Sequence, residues 1–179
     1  METILNEKTA ETVKRIHLLT TKLCYRNCPN CCNIVCGIDT IPHVTPEELS
    51  QCEYLFLTGG EPFKFVNPSE IALFYKRKFK NIKKVFVYGN SIECNEYLEK
   101  GGSLKGIDGL SLSIKCEADI GAFEKLCGRK DVLELAGGNR CYVFDGLMPL
   151  CSGNFDLVER SWQPLETYRP APDSIFRKM

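Results

Sequence analysis

The sequence predicts an α/β protein, a partial (β/α)6-type open barrel built on a mostly parallel sheet. Short apolar runs rich in β-branched and aromatic residues alternate with stretches of helical periodicity, which is the pattern of successive β-α units. The strand candidates are too few to close an eight-stranded barrel, so we expect the sheet to remain open.

The chain is expected to form one domain over residues 1–179, with a core at about 15–150 and a C-terminal tail at 151–179. Of its 179 residues, 44% are hydrophobic, and no linker or repeat divides them. A chain of this length buries about 70% of its unfolded surface, enough for a core without disulfides. The proline-containing tail is expected to wrap the surface.

The elements follow from local signals. Strands are predicted at residues 15–21, 53–58, 84–88, 109–115 and 140–144, and residues 131–135 fit either a strand or a helix. Helices are predicted after residue 45 and over residues 67–79, 92–100 and 117–126. The first of these begins with a capping box, in which Thr45 is the N-cap, Pro46 the first helical residue and Glu48 the reciprocal acceptor.

Charge and composition narrow the partners and the compartment. The 23 Lys and Arg residues balance 23 Asp and Glu residues without a basic stripe, so nucleic acid is not an expected partner. The N-terminus lacks the pattern of a signal peptide, and no apolar run approaches the roughly 20 residues of a transmembrane helix. We therefore expect a cytoplasmic protein with reduced thiols and no membrane partner.

The cysteines are clustered in one part of the chain. Five of the eleven fall between Cys24 and Cys36, directly after the first predicted strand. Within this group Cys24, Cys28 and Cys31 have the spacing C-x3-C-x2-C. Three thiolates on one short loop suit an iron–sulfur cubane with one iron left open, whereas structural zinc is the alternative.

Three distinctive segments follow successive strands: the cysteine loop, residues 59–62 (Gly-Gly-Glu-Pro) and Gly89-Asn90. The carboxyl ends of parallel strands form one edge of a sheet, so these segments are expected to meet there. On the fourth strand, Ser113 and Lys115 alternate with apolar residues and are expected to face the barrel lumen, unless this strand is a solvated edge.

The cysteine spacing after a first strand, together with Gly-Gly-Glu-Pro after a second, resembles the radical S-adenosylmethionine (radical SAM) superfamily over about residues 15–116. The resemblance implies that Cys24, Cys28 and Cys31 hold a [4Fe–4S] cluster whose fourth iron is chelated by SAM. It implies that SAM is contacted by residues after the second, third and fourth strands: Gly59, Gly60, Glu61, Pro62, Asn90, Ser113 and Lys115. In this set Glu61 would pair with the SAM ammonium and Lys115 with its carboxylate.

The implied reaction is one-electron reduction of SAM to methionine and a 5′-deoxyadenosyl radical, which abstracts hydrogen from a substrate. A flavodoxin- or ferredoxin-like electron donor is implied as a partner. The substrate is either a protein or peptide, as for activases, or a small molecule, as for deazaguanine synthases. A non-catalytic zinc-binding module is the alternative from another class, but it leaves residues 59–62 without a role.

Some residues depart from the pattern of this superfamily. Asn30 stands where an aromatic residue usually lies near the adenine, so adenine packing is expected to differ or to come from another residue such as Tyr25. Residues 135–138 match a fifth-strand glycine motif poorly. Arg26 and Asn30 also replace the histidine and glycine of the ribonucleotide reductase activases. The remaining cysteines that could suggest a second centre are interpreted as non-ligands: Cys32, Cys36, Cys141 and Cys151. Structural roles are expected for the two histidines, His17 and His43.

Overall fold

The protein is described by a computed structural model that covers residues 14–28, 31–35, 37–162 and 173–179. Seven parallel strands form one sheet in the order β6-β5-β4-β3-β2-β1-β7. The strands are β1 (Arg15–Thr21), β2 (Tyr54–Gly59), β3 (Lys84–Tyr88), β4 (Gly109–Ile114), β5 (Asn139–Phe144), β6 (Phe155–Arg160) and β7 (Ser174–Lys178). Because β6 and β7 are the two edges, the sheet is open, which confirms the predicted fold class.

Seven helices connect these strands in the described ranges: α1 (Cys32–Val35), α2 (Pro46–Gln51), α3 (Pro62–Phe65), α4 (Pro68–Lys78), α5 (Ser91–Glu99), α6 (Glu117–Cys127) and α7 (Lys130–Leu133). The predicted capping box is present at α2, where Thr45 Oγ1 accepts from Glu48 N at 3.2 Å. In return, Thr45 N donates to Glu48 Oε2 at 3.0 Å, so both backbone donors at this helix start are satisfied.

One face of the sheet carries the core. Alternate strand residues such as Ile16, Leu57 and Leu112 are fully buried in a cluster with apolar residues of the helices. On the opposite face, which we call the inner face, His17 and Phe56 stand side by side in the β1–β2 register. The helix side chains of the core cluster therefore lie on one face, and on the inner face a second, smaller buried cluster packs Leu19 against Ile41.

The inner face of the first strands is a ladder of stacked rings. Phe176, His17, Phe56 and Phe86 are neighbours in register across β7, β1, β2 and β3. Successive ring centroids are 4.7, 4.7 and 5.2 Å apart with nearly parallel planes. This aromatic ladder, defined by those four residues, fills the amino-terminal part of the inner face.

The structure corrects or decides three sequence predictions about the fold. The tail does not simply wrap the surface, because β6 and β7 both join the sheet and raise the strand number to seven. Residues 131–135 are not a strand: helix α7 covers Lys130–Leu133. The solvated-edge alternative for the fourth strand is also wrong, since β4 lies between β3 and β5 and is buried on both faces.

No helix in the described ranges is both long and apolar enough to cross a membrane.

Candidate functional site

Backbone hydrogen bonds join the stem of the cysteine loop to the segment after β2. Gly60 N donates to Thr21 O at 2.7 Å, and Glu61 N donates to Leu23 O at 2.9 Å. A Cβ atom on Gly60 would lie 2.0 Å from Leu23 O, and one on Gly59 would lie 2.3 Å from Thr21 O. Both glycines are therefore required because the two segments approach closely, and for Gly59 also because its φ is +124°.

Glu61 is the buried carboxylate of this junction, with 4% of its surface exposed. Its Oε2 accepts from the backbone N and the side-chain Nδ2 of Asn90, and its Oε1 accepts from Phe63 N at 3.4 Å. Burial raises the pKa of Glu61 to about 7, although these hydrogen bonds oppose the shift. The carboxyl group is thus close to its titration point at neutral pH, and a bound cation would favour its charged form.

Asn90 connects Glu61 to the next helix. It is the N-cap of α5, where its Oδ1 accepts from Glu93 N at 3.0 Å while its Nδ2 donates to Glu61. Both ends of the amide are occupied, and 3% of the residue is exposed. In this conformation Asn90 orients Glu61, and a contact to SAM would need a change of partner. Pro62, the remaining residue of that segment, is buried at the first position of α3.

The three predicted ligands lie on one loop at the carboxyl end of β1. Cys28 and Cys31 are partly exposed, and Cys24 is exposed. Partial burial raises the pKa of Cys24, and the charges of Glu61 and of the other two thiols raise it further. Among the described residues, no three His, Cys, Asp or Glu side chains are already gathered closely enough to hold a metal ion.

Lys115 extends from the end of β4 to this loop. Its Nζ lies 3.6 Å from Cys28 Sγ, and 5.9 and 5.8 Å from the ring centroids of Phe144 and Trp162. Ser113 lies two residues earlier on the inner face, 8% exposed and in register with Tyr142. Both residues are therefore on the face where the sequence predicted them.

The sequence reasoning missed an ion pair that anchors the cysteine loop. Arg26, between Cys24 and Cys28, makes two hydrogen bonds to the fully buried carboxylate of Asp119, one of them 2.8 Å long. Asp119 also accepts from the backbone N of Lys115 at 2.8 Å, so the loop and the end of β4 share one carboxylate. Nothing in the spacing indicates this pair, because the two residues are 93 positions apart.

The other sequence candidates lie elsewhere. Cys141 is buried in the core, and burial raises its pKa to about 12, as expected for a non-ligand. Cys151 is exposed at the far end of α6, where its carbonyl accepts a 3.7 Å contact from Cys127 Sγ. Tyr25 is exposed and packs edge-on against Phe65 at 6.4 Å.

Structural roles fit both histidines. His17 belongs to the aromatic ladder, and His43 makes a backbone bridge to β7. The predictions for Asn30, Cys36 and the side chain of Cys32 lie outside the described residues.

No family model, no curated protein and no solved structure matches this chain. The superfamily resemblance therefore depends on the motifs and on the geometry of the site described above.

Proposed function

We propose that this protein is a radical SAM enzyme, with the cysteine loop as the site of a [4Fe–4S] cluster. The main support is the junction between the loop and residues 59–62. Hydrogen bonds of 2.7 and 2.9 Å hold the buried Glu61 carboxylate beside the loop that carries the three thiols. Three cysteines on one loop would supply the ligands of a metal centre, and a buried carboxylate next to that loop would pair with a ligand ammonium.

The donor set fits an iron–sulfur cluster. The three cysteines share a loop that is anchored at Arg26, and the Lys115 ammonium contacts one of them, Cys28. When bound, a cluster at Cys24, Cys28 and Cys31 would supply the electron that cleaves SAM. Because burial and nearby charges raise the pKa of Cys24, loading must release a proton there and is favoured as pH rises.

The remaining residues would bind and orient SAM. Glu61 would accept the SAM ammonium, with its carboxylate held in place by Asn90, and the rigid turn at Gly59 and Gly60 would fix its position. Lys115 would shift from Cys28 to the SAM carboxylate, a movement that its flexible side chain permits. Ser113, two residues before Lys115 in the chain, would contact the methionine or ribose part of SAM.

The substrate would bind on the inner face beside SAM. We favour a protein or peptide substrate, which could close an open barrel itself, over a small molecule handled as in deazaguanine synthases. We also propose a cytoplasmic location and an electron donor of the flavodoxin or ferredoxin type. The inner face supplies side chains that bind substrate, and the chemistry of hydrogen abstraction belongs to the cofactor.

Anaerobic reconstitution with iron and sulfide tests the proposal. The reconstituted protein should be brown, contain about four irons per chain, and release 5′-deoxyadenosine from SAM in the presence of dithionite. Cys28→Ala should lose both iron and cleavage, whereas Cys151→Ala, at an exposed cysteine outside the loop, should retain them. A colourless protein with tightly bound zinc, or an iron-loaded protein that never cleaves SAM, would contradict the proposal.

A further inference from the structure

Two arginines on the inner face converge on one tyrosine. Arg140 and Tyr142 lie on β5, and Arg160 lies on the neighbouring edge strand β6. Arg140 Nη1 donates to Tyr142 Oη at 3.5 Å, while the Arg160 guanidinium lies 5.0 Å from the centroid of the same ring. We call these three residues the arginine cluster.

The arginine cluster lacks a negative partner within the described ranges. Neither Arg140 nor Arg160 has a carboxylate of a described residue within the 4.0 Å of an ion pair. Asp156 lies opposite Arg140 in the β5–β6 register, but it is exposed. The pKa of Arg140 is raised chiefly by the hydrogen bond to Tyr142, and Asp156 contributes least.

Other arginines of the described chain contrast with this pair. Ion pairs neutralise most of them: Arg15 with Asp173, Arg26 with Asp119, Arg129 with Asp131 and Arg177 with Glu48. Arg77, on the exposed surface of α4, bonds a helix carbonyl instead. Arg140 and Arg160 are exposed as Arg77 is, and they differ from it because both lie against the same phenol ring or hydroxyl.

The two arginines lower the pKa of Tyr142. Burial alone would raise its pKa, but Arg140 and Arg160 outweigh burial, so that its pKa lies below the usual value. Its neighbour Tyr88 has a pKa of about 12, mainly because of burial and then because of the charge on Tyr142. The cluster thus stabilises negative charge at the phenol oxygen, between two guanidinium groups.

Position along the strand relates the cluster to the candidate site. Ser113 lies on the inner face of β4, two residues before Lys115, and is in register with Tyr142. Phe144, whose ring lies 5.9 Å from Lys115 Nζ, is in register with Arg160. Since a strand rises about 3.3 Å per residue, Tyr142 lies about 7 Å below Phe144 along β5. A molecule bound at the cluster could therefore extend up the inner face to the cysteine loop.

We propose that the arginine cluster binds an anionic group, a carboxylate or a phosphate, on the substrate of this protein. Arg140 and Arg160 donate charge-assisted hydrogen bonds to the anion, and the Tyr142 hydroxyl completes the site. The description of this ligand as a substrate rests on the proposed function, whereas the anion site itself does not. In this arrangement the charged end of the substrate lies against β5 and β6, and its reacting part lies near Lys115.

Titration of the full-length protein with two probes tests this inference and separates the two anions. Inorganic phosphate and benzoate are added while the arginine side-chain resonances are followed by NMR. Saturable binding of phosphate identifies a phosphate site, and saturable binding of benzoate alone identifies a carboxylate site. Arg140→Gln and Arg160→Gln should each weaken binding at least about tenfold, as expected for charged hydrogen bonds, and the double variant should abolish it.

Arg77→Gln is the matched control, because it removes an exposed arginine from the opposite side of the sheet and should leave the affinity unchanged. Non-saturating shifts with both probes, or equal affinity in the Arg77→Gln and Arg140→Gln proteins, would overturn the proposal. The same titration on the Cys28→Ala protein distinguishes failure of the anion-site proposal from failure of the proposed function. If the Cys28→Ala protein still binds the anion, the anion site stands. If the unmodified protein then neither loads iron nor cleaves SAM, the radical SAM assignment alone is refuted.

Discussion

Glu61 and His17 are expected to make opposite contributions to the pH dependence of the free energy of unfolding, and these contributions should cancel. Burial raises the pKa of Glu61 from its ordinary 4.5 to about 7, whereas burial, followed by the charge of Arg15, lowers the pKa of His17 from 6.5 to about 4. Each difference corresponds to at most about 3 kcal/mol in the free energy of unfolding, because one pKa unit is worth about 1.4 kcal/mol.

The two contributions have opposite signs over nearly the same range. Glu61 holds its proton more tightly in the folded state, so its contribution is full below pH 4.5 and is lost as pH rises to about 7. His17 holds its proton less tightly when folded, so its contribution is full above pH 6.5 and is lost as pH falls to about 4. Together they should leave the stability of the metal-free protein nearly independent of pH between about 4.5 and 6.5.

Single substitutions should reveal each slope. In Glu61→Gln the remaining histidine makes stability rise by up to about 3 kcal/mol from pH 4.5 to 6.5. In His17→Phe the remaining carboxyl makes stability fall by up to about 3 kcal/mol over that range, and the double variant should be flat again.

The measurement is urea denaturation of the reduced, metal-free proteins under anaerobic conditions at several pH values. Exposed carboxylates with lowered pKa values, such as Glu53 and Glu96, affect all four proteins alike, so differences between the curves are the readout. If Glu61→Gln has the same slope as the unmodified protein, the pKa assigned to Glu61 is refuted.

Two further substitutions test how the cysteine loop is held. Gly60→Ala puts a Cβ 2.0 Å from a backbone oxygen, so it should destabilise the protein and prevent iron loading, as followed by unfolding and iron analysis. Gly121→Ala, in α6 with nothing within 4 Å, should instead stabilise by up to about 1 kcal/mol. Arg26→Gln leaves the buried Asp119 charge unpaired and should cost about 3 to 5 kcal/mol, measured by denaturation. The more exposed Arg129→Gln should cost less than about 1 kcal/mol, and equal losses would show that Arg26 is not an anchor.

The sequence predicted the strands that alternate cleanly and missed those that do not. Strands β1 to β5 have apolar residues at the expected period and follow or precede helices with clear caps. In β6 and β7 charged residues interrupt the short apolar runs, because these edge strands are half exposed. Helix α7 has four residues, too few for helical and strand periodicity to be distinguished.

The candidate site was predictable where its chemistry is local and unpredictable where it depends on long-range contacts. The cysteine spacing and the Gly-Gly-Glu-Pro segment are visible as motifs, and the parallel sheet brings them to one edge. The reason why both positions need glycine was not visible in the sequence, since the atoms that a Cβ would meet are backbone atoms of Thr21 and Leu23. The pairing of Arg26 with Asp119 joins segments 93 positions apart and leaves no local signal.

Strand β7 helps to make the amino-terminal part of the inner face apolar, whereas the part toward the carboxyl edge is polar. By pairing with β1, β7 places Phe176 on His17 and extends the aromatic ladder to four rings. That stack excludes water from the amino-terminal part of the inner face, which lowers the pKa of His17. Toward the carboxyl edge the inner face changes to hydroxyls, the arginine cluster and Lys115. The inner face therefore has apolar rings in its amino-terminal part and charged groups toward the edge that carries the cysteine loop.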